Sequence, residues 1–292
     1  MSTCMTEFEE HRERLSRLAY RMLGTHAEAE DVLQEAYLRW SRADRAAVES
    51  IPAYLTTVVT RLCIDRRREI DARKESYVGP WLPDPIVEPV PPPEQSLERA
   101  ESISLAFLYV MERLTATERA AFLLRQVFGF GYSDVAEVLQ TSSANCRQLV
   151  SRAERKVLEG RPRFDPDPAE VSRVSQTFLD ACRNGDLENL LSLLSDDVVM
   201  ISDGGGKASA ALRPVVGADR VVRFFLGIAR KTAGKVRSEP AWVNGGPGFV
   251  SYEGDELTSI YSIDVDHGRI CGFYIVRNPD KLAVAVRERQ SS

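Results

Sequence analysis

A short stretch near the middle of the chain carries the side chains best suited to contact nucleic acid. Between residues 144 and 163, six basic residues stand against two acidic ones, for a local charge of +4 in a chain whose net charge is -5. Apolar residues recur there at helical spacing and predict a helix with one buried side. Its outward residues are Arg147, Gln148, Ser151, Arg152 and Arg155. These side chains can hold phosphates and reach base edges in a major groove, so they predict a DNA-binding face.

The residues before this helix complete a helix-turn-helix pattern. A capping box at Thr115–Glu118 opens the preceding long helix. Ser133 caps a short helix that ends at Leu139, and a turn then leads into the basic helix. The turn has Gln140 where such turns often have glycine. A plain helical hairpin with a solvated basic face therefore remains the alternative to a DNA-binding element.

An acidic row lies on the second of three helices predicted within the first 75 residues. Thr25 and Glu28 form a capping box at the start of that helix. Glu28, Asp31 and Glu35 project together from one face, with Gln34 beside them. The row fits either a solvated surface or a contact for a basic partner.

The third predicted helix runs from a Ser50 cap to Arg68 and ends in a basic cluster. Five β-branched residues in a row, 56–60, would alone favour a strand. The apolar positions nevertheless keep a helical period through the segment, so we predict a helix. Arg61 and Arg66 belong to the cluster, which suits either the helix dipole or a phosphate backbone.

Two proline-rich breaks divide the chain into three predicted domains. Residues 76–95 hold seven prolines, a density that excludes helix and favours an extended linker. Three more prolines fall within 161–168. We therefore expect all-α domains at 1–75 and 96–163 and a further domain at 168–286.

The C-terminal domain reads as helices followed by antiparallel strands, an α+β cone with a curved sheet. Its only histidine, His267, sits in a hairpin turn, where histidine is more often solvated than catalytic. Asp203 has no evident base partner, and the glycines that follow it do not match a phosphate-binding loop. The sequence thus predicts no catalytic residue.

Cysteine usage and hydropathy exclude further classes of protein. Five cysteines lie far apart and form no Cys-x-x-Cys pair, which argues against a disulfide framework and against a metal site. No cofactor is indicated. The N-terminus lacks the pattern of a signal peptide, and no stretch approaches the length of a membrane span. We expect a cytoplasmic protein with no membrane partner.

Four segments in order resemble extracytoplasmic-function (ECF) sigma factors. They are DVLQEAYLRW (31–40), IPAYLTTVVTRLCIDRRR (51–68), LTATERAAFLLRQVFGFGYSDVAEVL (114–139) and CRQLVSRAERKV (146–157). Three shorter motifs resemble the subgroup with a fused SnoaL-like C-terminal domain, namely WLPDP (81–85), DGGGK (203–207) and NPDKL (278–282).

The resemblance implies two partners, the core of bacterial RNA polymerase and promoter DNA. Glu28, Asp31, Gln34 and Glu35 become polymerase contacts, since an acidic row complements a basic surface. Arg61 and Arg66 become contacts to the minus-ten promoter element. The helix-turn-helix face, with Arg147, Gln148, Ser151, Arg152 and Arg155, reads the minus-thirty-five element.

The three shorter motifs suggest a regulatory contact. We expect the linker at Trp81, Leu82 and Pro83 to meet two motifs of the C-terminal domain, and we expect that contact to set the spacing of the DNA-binding domains. The residues of those motifs are Asp203, Gly204, Gly205, Gly206, Lys207, Asn278, Pro279 and Asp280. The cone also leaves room for an unknown small ligand.

Two rival functions follow from the same sequence. A helix-turn-helix repressor would use the middle domain but would leave the first domain without a task. A SnoaL-type isomerase, cyclase or hydrolase would need a polar pair converging inside the cone.

Overall fold

The computed structural model of the chain describes residues 3–90, 104–160, 168–232 and 234–291. Its residues group into two compact units, Met1–Glu75 with Val110–Gly160, and Ser76–Tyr109 with Arg161–Ser292. The two predicted helical regions therefore share one unit, and the predicted linker is grouped with the C-terminal region. Residues 91–95 of that linker, residues 96–103 of the predicted middle domain and the break at 161–167 lie outside the described residues.

The first unit is all helical, as predicted. Its elements are α1 (Thr3–Leu23), α2 (His26–Ser41), a 3₁₀ turn (Arg45–Ala47), α3 (Ile51–Lys74), α5 (Ala116–Phe122), a π-helical turn (Leu123–Val127), α6 (Tyr132–Val138) and α7 (Ser143–Gly160). Helix α4 (Leu105–Met111) contains the division between the two units, which falls after Tyr109. Gly24 ends α1 at φ 75°, as a left-handed cap requires. Trp40 is fully buried among α1 and α2, and its Nε1 donates to the Cys4 carbonyl at 3.2 Å.

The β-branched run is helical, and α3 continues six residues beyond the predicted end. Thr56 and Thr57 donate their hydroxyls to the carbonyls of Pro52 and Ala53, at 2.6 and 2.9 Å. Threonine can satisfy its hydroxyl against the preceding turn of a helix in this way, so local propensity does not force a strand.

The helix-turn-helix pattern is present in α6 and α7. Thr115 and Glu118 form the predicted capping box before α5. Gln140 adopts φ 53° in the turn and so takes the left-handed conformation that glycine usually supplies. By contrast, Thr25 makes no side-chain cap at α2, so the capping box predicted there is wrong.

The second unit is built on one seven-stranded sheet in the order β1-β4-β5-β6-β7-β2-β3. Within the described residues, β2 pairs with β7 in parallel and the other neighbouring strands pair antiparallel. The elements are β1 (Val87–Glu88), α8 (Pro168–Asn184), α9 (Leu187–Leu193), β2 (Leu194–Asp203), β3 (Val215–Val216), α10 (Ala218–Lys231), β4 (Val236–Val243), β5 (Gly246–Glu253), β6 (Glu256–Asp266), β7 (Arg269–Val276) and α11 (Pro279–Ser291). The α+β prediction is confirmed, whereas β1, β3, α4 and α11 were not predicted.

Both faces of the sheet are covered. One core contains Phe178 of α8 and Phe225 of α10 against the sheet. The other contains Leu82 of the linker and Leu282 of α11. Because successive strand residues point to opposite faces, neighbours such as Ile260 and Tyr261 fall into different cores. Among the described residues, no helix has the length and apolar character that crossing a membrane requires.

Candidate functional site

The predicted DNA-binding face is open along α7. Its predicted readers, Arg147, Gln148, Ser151, Arg152 and Arg155, are all exposed, while Cys146, Val150, Ala153 and Val157 are buried against the unit. The guanidinium of Arg147 lies 5.3 Å from the ring centroid of Tyr132, at the start of α6. The face thus presents three arginines, an amide and a hydroxyl to solvent on one rigid helix.

Arg61 and Arg66, the predicted minus-ten contacts, are engaged inside the first unit. Arg61 donates to the carbonyls of Val138 and Glu137 at the end of α6, over 3.0 and 3.2 Å. The Glu137 carbonyl also accepts from the Gln140 backbone N–H at 3.1 Å, and the carboxyl end of a helix attracts a cation. Arg66 pairs with Glu28, with Nε 3.2 Å from the carboxylate.

The acidic row on α2 divides in two. Glu28 is turned toward α3, where it accepts from Arg73 at 2.6 Å in addition to Arg66. Asp31 and Gln34 are exposed, and Glu35 pairs with Arg39 one turn later, at 2.7 Å. The structure therefore leaves Asp31 and Gln34, more than Glu28, in position to meet a partner.

An apolar groove adjoins that exposed part of α2. It lies between α1 and α2, has a volume of about 370 Å³ and is lined in part by Phe8, Leu33, Gln34 and Leu38. Leu38 is 50% exposed and adds apolar surface to the groove. The sequence reading considered only charge on this helix and missed the groove.

A buried ion cluster joins α3 to the segment before α5. Glu112 accepts two hydrogen bonds from Arg67, at 2.9 and 2.6 Å, and one from Arg119 at 2.7 Å, and it also pairs with Lys74. The side chains of Arg67 and Arg119 are 1% and 0% exposed. One carboxylate thus pairs with three cations at a site largely buried from solvent, and Asp71 is a further partner of Arg67 at 2.8 Å.

Burial and mutual charge set the pKa values of this cluster. Burial alone would raise the pKa of Glu112, but Arg119 and Arg67 outweigh it and hold that pKa well below its usual range. Burial, aided by the two guanidinium groups, lowers the pKa of Lys74 to about 7 against the opposing pull of Glu112. The ion pairs that Arg67, Arg119 and Lys74 form with Glu112 therefore require its carboxylate to be deprotonated.

A second buried cluster is centred on Asp203, at the end of β2. Its carboxylate accepts from the Tyr77 hydroxyl at 2.6 Å, from the Leu82 backbone N–H at 2.9 Å and from Lys281 Nζ at 2.7 Å. Asp203 and Leu82 are both 0% exposed. Burial, and then Asp203, raise the pKa of Tyr77, so its hydroxyl stays a donor. One carboxylate of the C-terminal domain therefore bonds to two residues of the predicted linker.

The glycines after Asp203 allow the linker to approach this closely. Gly205 and Gly206 have φ of 59° and 71°. A Cβ on Gly205 would lie 2.4 Å from Asn278 Nδ2, and one on Gly206 would lie 3.1 Å from Val78. A Cβ on Gly204 would lie 2.3 Å from the Ala208 carbonyl. The run of three glycines is thus required by close contact as well as by backbone conformation.

The remaining residues of the three motifs surround the same cluster. Asn278 donates from Nδ2 to the Tyr77 hydroxyl at 2.9 Å, and Pro279 begins α11. Lys281 Nζ lies 4.1 Å from the centroid of the Trp81 ring and also donates to the Leu82 carbonyl. Pro83 is buried. Lys207 and Asp280 form a more exposed pair at the rim, 2.5 Å apart.

The linker then joins the sheet as β1. Val87 and Glu88 pair with Val243 and Trp242 of β4. Ile86 exchanges two hydrogen bonds with Asn244, at 2.9 Å to the backbone N–H and 3.1 Å to the side-chain carbonyl. This two-residue strand could not be predicted from the sequence, because the prolines on either side of it, Pro85 and Pro89, indicate an extended linker rather than a strand.

Three aromatic rings pack together between the sheet and the helices α8 and α10. The centroids of Phe178, Phe225 and Phe273 lie 4.9 to 5.0 Å from one another. Burial raises the pKa of Asp264 to about 7, with a smaller opposing effect from Tyr274. Tyr274 belongs to the core on the other face of the sheet, away from those three rings.

Comparison with known proteins agrees with this geometry. Residues 8–73 match the family model for Sigma-70 region 2, and residues 104–157 match that for Sigma-70 region 4. The chain is 39% identical to the ECF RNA polymerase sigma factor SigJ of Mycobacterium tuberculosis, over 98% of this chain and 96% of that protein. It is 32% identical to the probable ECF sigma factor SigI of the same organism, over 93% and 92%.

The fold is also similar to that of a solved relative. The crystal structure of Mycobacterium tuberculosis SigJ matches with a TM-score of 0.76 at 36% identity, and the match covers 96% of this chain and 98% of that one. The resemblance therefore extends over both units.

Proposed function

Because the chain belongs to the family of ECF RNA polymerase sigma factors, we propose that its C-terminal domain modulates the sigma activity by holding the linker. Members of this family bind RNA polymerase and direct transcription, and they are regulators rather than enzymes. The segment held is 77–88, which lies between the two regions that match Sigma-70. Since the polymerase and its DNA are in the cytoplasm, we expect the protein to act there.

One observation carries the proposal, the burial of Asp203 against the linker. A carboxylate that is 0% exposed and bonded to Tyr77, Leu82 and Lys281 is costly unless its partners are in place. The contacts of Asp203 with Tyr77 and Leu82 therefore restrain the segment 77–88 as long as all partners of this carboxylate are in place. A restraint on 77–88 limits how far the two DNA-binding regions can separate, since each residue of chain spans at most about 3.6 Å.

We further propose where the polymerase and the promoter are contacted. Asp31 and Gln34, with the adjoining groove on α2, suit a polymerase surface that offers both basic and apolar groups. The exposed face of α7 suits the minus-thirty-five element. Arg61 and Arg66 must first leave their present partners to reach DNA, so promoter binding requires a rearrangement within the first unit.

Replacing Arg147 with alanine is expected to weaken promoter binding in one of two distinguishable ways. If Arg147 reads a base, binding to the cognate promoter falls by about 1 to 3 kcal/mol, and specificity relaxes at one position. If Arg147 holds a phosphate, the loss is similar on every sequence and the salt dependence becomes shallower. Titration of labelled DNA by the polymerase holoenzyme at several salt concentrations separates the two cases.

Arg269→Ala is the matched control, because Arg269 is equally exposed but lies in the second unit. It is expected to bind as the wild type does. An Arg147→Ala variant that behaves like this control at every salt concentration would show that α7 does not read the promoter through this residue.

The proposed regulation is tested by run-off transcription with core polymerase on the gene's own upstream region. The full chain is compared with a form that ends near residue 167. We expect the two to differ in polymerase or promoter affinity, because the shorter form has no Asp203 to hold the segment 77–88. Equal transcription from both forms would refute regulation by the C-terminal domain. Failure of the full chain to associate with core polymerase would refute the sigma function itself.

A further inference from the structure

A second cavity lies in the C-terminal domain, away from the aromatic rings between α8 and α10. It is about 330 Å³ in volume and is lined mainly by residues of α8 and of the β4–β5 hairpin. Leu179, Pro240 and Pro247 line it with apolar surface, and Ser175 and Trp242 also belong to its lining. This volume is at the small end of the range of about 300 to 1,000 Å³ that is typical of ligand sites.

Two buried donors in the lining have no partner. Trp242 is 2% exposed and Ser175 is 5% exposed. Among the described residues, neither Trp242 Nε1 nor Ser175 Oγ makes a hydrogen bond. A buried donor without an acceptor costs free energy, and nearly all such groups in folded proteins are paired. Two of them on one small cavity point to an acceptor that a bound molecule would bring.

The surroundings define the chemistry of that molecule. The apolar walls favour a compact hydrocarbon body, and the indole N–H can only donate. The ligand must therefore offer an oxygen acceptor near Trp242. Exposed Arg173 lies at the rim and favours a negative charge on the part of the ligand nearest to it.

We propose that this cavity binds a small apolar molecule through a carbonyl or carboxylate oxygen that accepts from Trp242 and Ser175. A carbonyl compound and a carboxylate share the required chemistry, which is an oxygen acceptor attached to a small hydrocarbon group.

The cavity also touches the path of the linker. Trp242 pairs with Glu88 of β1 across the sheet, and Val90 belongs to the cavity lining. A ligand there would act on the strand that fixes the segment 77–88. That consequence rests on the function proposed above, whereas the binding does not.

The test uses the full chain labelled with 5-fluorotryptophan, which gives three fluorine signals, from Trp40, Trp81 and Trp242. Trp242→Phe identifies the signal of the cavity. Benzoate and cyclohexanone are then titrated separately by fluorine NMR, so that the carboxylate and the neutral carbonyl are distinguished. We expect one or both to shift the Trp242 signal in a saturable manner, with a Kd of about 1 mM or below, and to leave the Trp40 signal in place.

Two variants and one control locate the binding. Ser175→Ala removes one donor and is expected to weaken binding about threefold to tenfold. Ser172→Phe fills the mouth from an exposed position on α8, which spares the core, and is expected to abolish the shift. Thr177→Ala on the same helix is the control, since Thr177 does not line the cavity, and is expected to bind as the wild type does.

Two results would overturn the proposal. One is the absence of any saturable shift of the Trp242 signal with either probe. The other is a shift that persists unchanged in Ser172→Phe and Ser175→Ala, which would place the binding elsewhere. Neither result bears on transcription, so the proposed regulation can fail or stand separately.

Discussion

Replacing Asp203 with alanine is expected to destabilise the second unit by about 3 to 5 kcal/mol and to release the linker from it. The loss is large because Lys281, whose side chain is 8% exposed, loses the carboxylate that pairs with it. Tyr77 and the Leu82 N–H lose their acceptor in the same step. Denaturant unfolding measures the loss in the free energy of unfolding. Release of the linker is followed by the fluorescence of Trp81, whose ring lies against Lys281 Nζ.

Asp280→Ala is the matched control for this substitution. It removes a carboxylate from Lys207 in a pair whose side chains are 56% and 65% exposed, and exposed pairs contribute about 1 kcal/mol or less. Asp203→Ala combined with Lys281→Met removes both buried charges and is expected to recover part of the stability. A stability loss for Asp203→Ala no larger than that of Asp280→Ala would contradict the importance of the buried cluster.

The second large effect is expected from Glu112→Ala in the first unit. Arg119 and Lys74 would then lose this buried carboxylate, and Arg67 would keep the half-exposed Asp71 as a partner, at a cost of about 3 to 5 kcal/mol. Chemical unfolding of the full chain, followed by the helical signal, gives the measurement. The control is Glu69→Ala, which removes an exposed partner of Arg66 on the same helix and is expected to cost little.

The pH dependence gives an independent check on Glu112. Its pKa in the folded chain lies below the ordinary value of 4.5, so the stability it contributes is complete above about pH 4.5 and is lost as the pH falls further. Wild type is therefore expected to lose stability more steeply than Glu112→Gln in this acidic range. Parallel curves for the two proteins would show that Glu112 is not held in its charged form by folding.

The predictable part of the candidate site was the part set by local pattern. The face of α7 follows from apolar residues at helical spacing, which fix the buried side and leave Arg147 and its neighbours outside. The close approach of other segments to Gly205 and Gly206 could be predicted from three glycines in a row, because glycine permits both unusual backbone angles and close contact. Both features depend on residues close together in the chain.

The parts that could not be predicted depend on contacts between distant segments. Whether Arg61 is free or bonded is decided by α6, more than seventy positions later. Glu112 lies outside every motif, and nothing near it identifies Arg67 and Arg119 as its partners. One signal was present, since Arg67 stands four residues after Cys63 and three before Ile70, on the buried side of α3. A charged residue at an apolar position predicts a buried partner of opposite charge.

The strand pairing of β1 with β4 has a consequence for synthesis of the chain on the ribosome. Val87 and Glu88 are made well before Val243 and Trp242. At about 5 to 20 residues per second, on the order of ten seconds pass between them. The nascent protein therefore exposes both regions that match Sigma-70 before the sheet can capture the connecting segment. Premature termination would release a chain that lacks this restraint permanently.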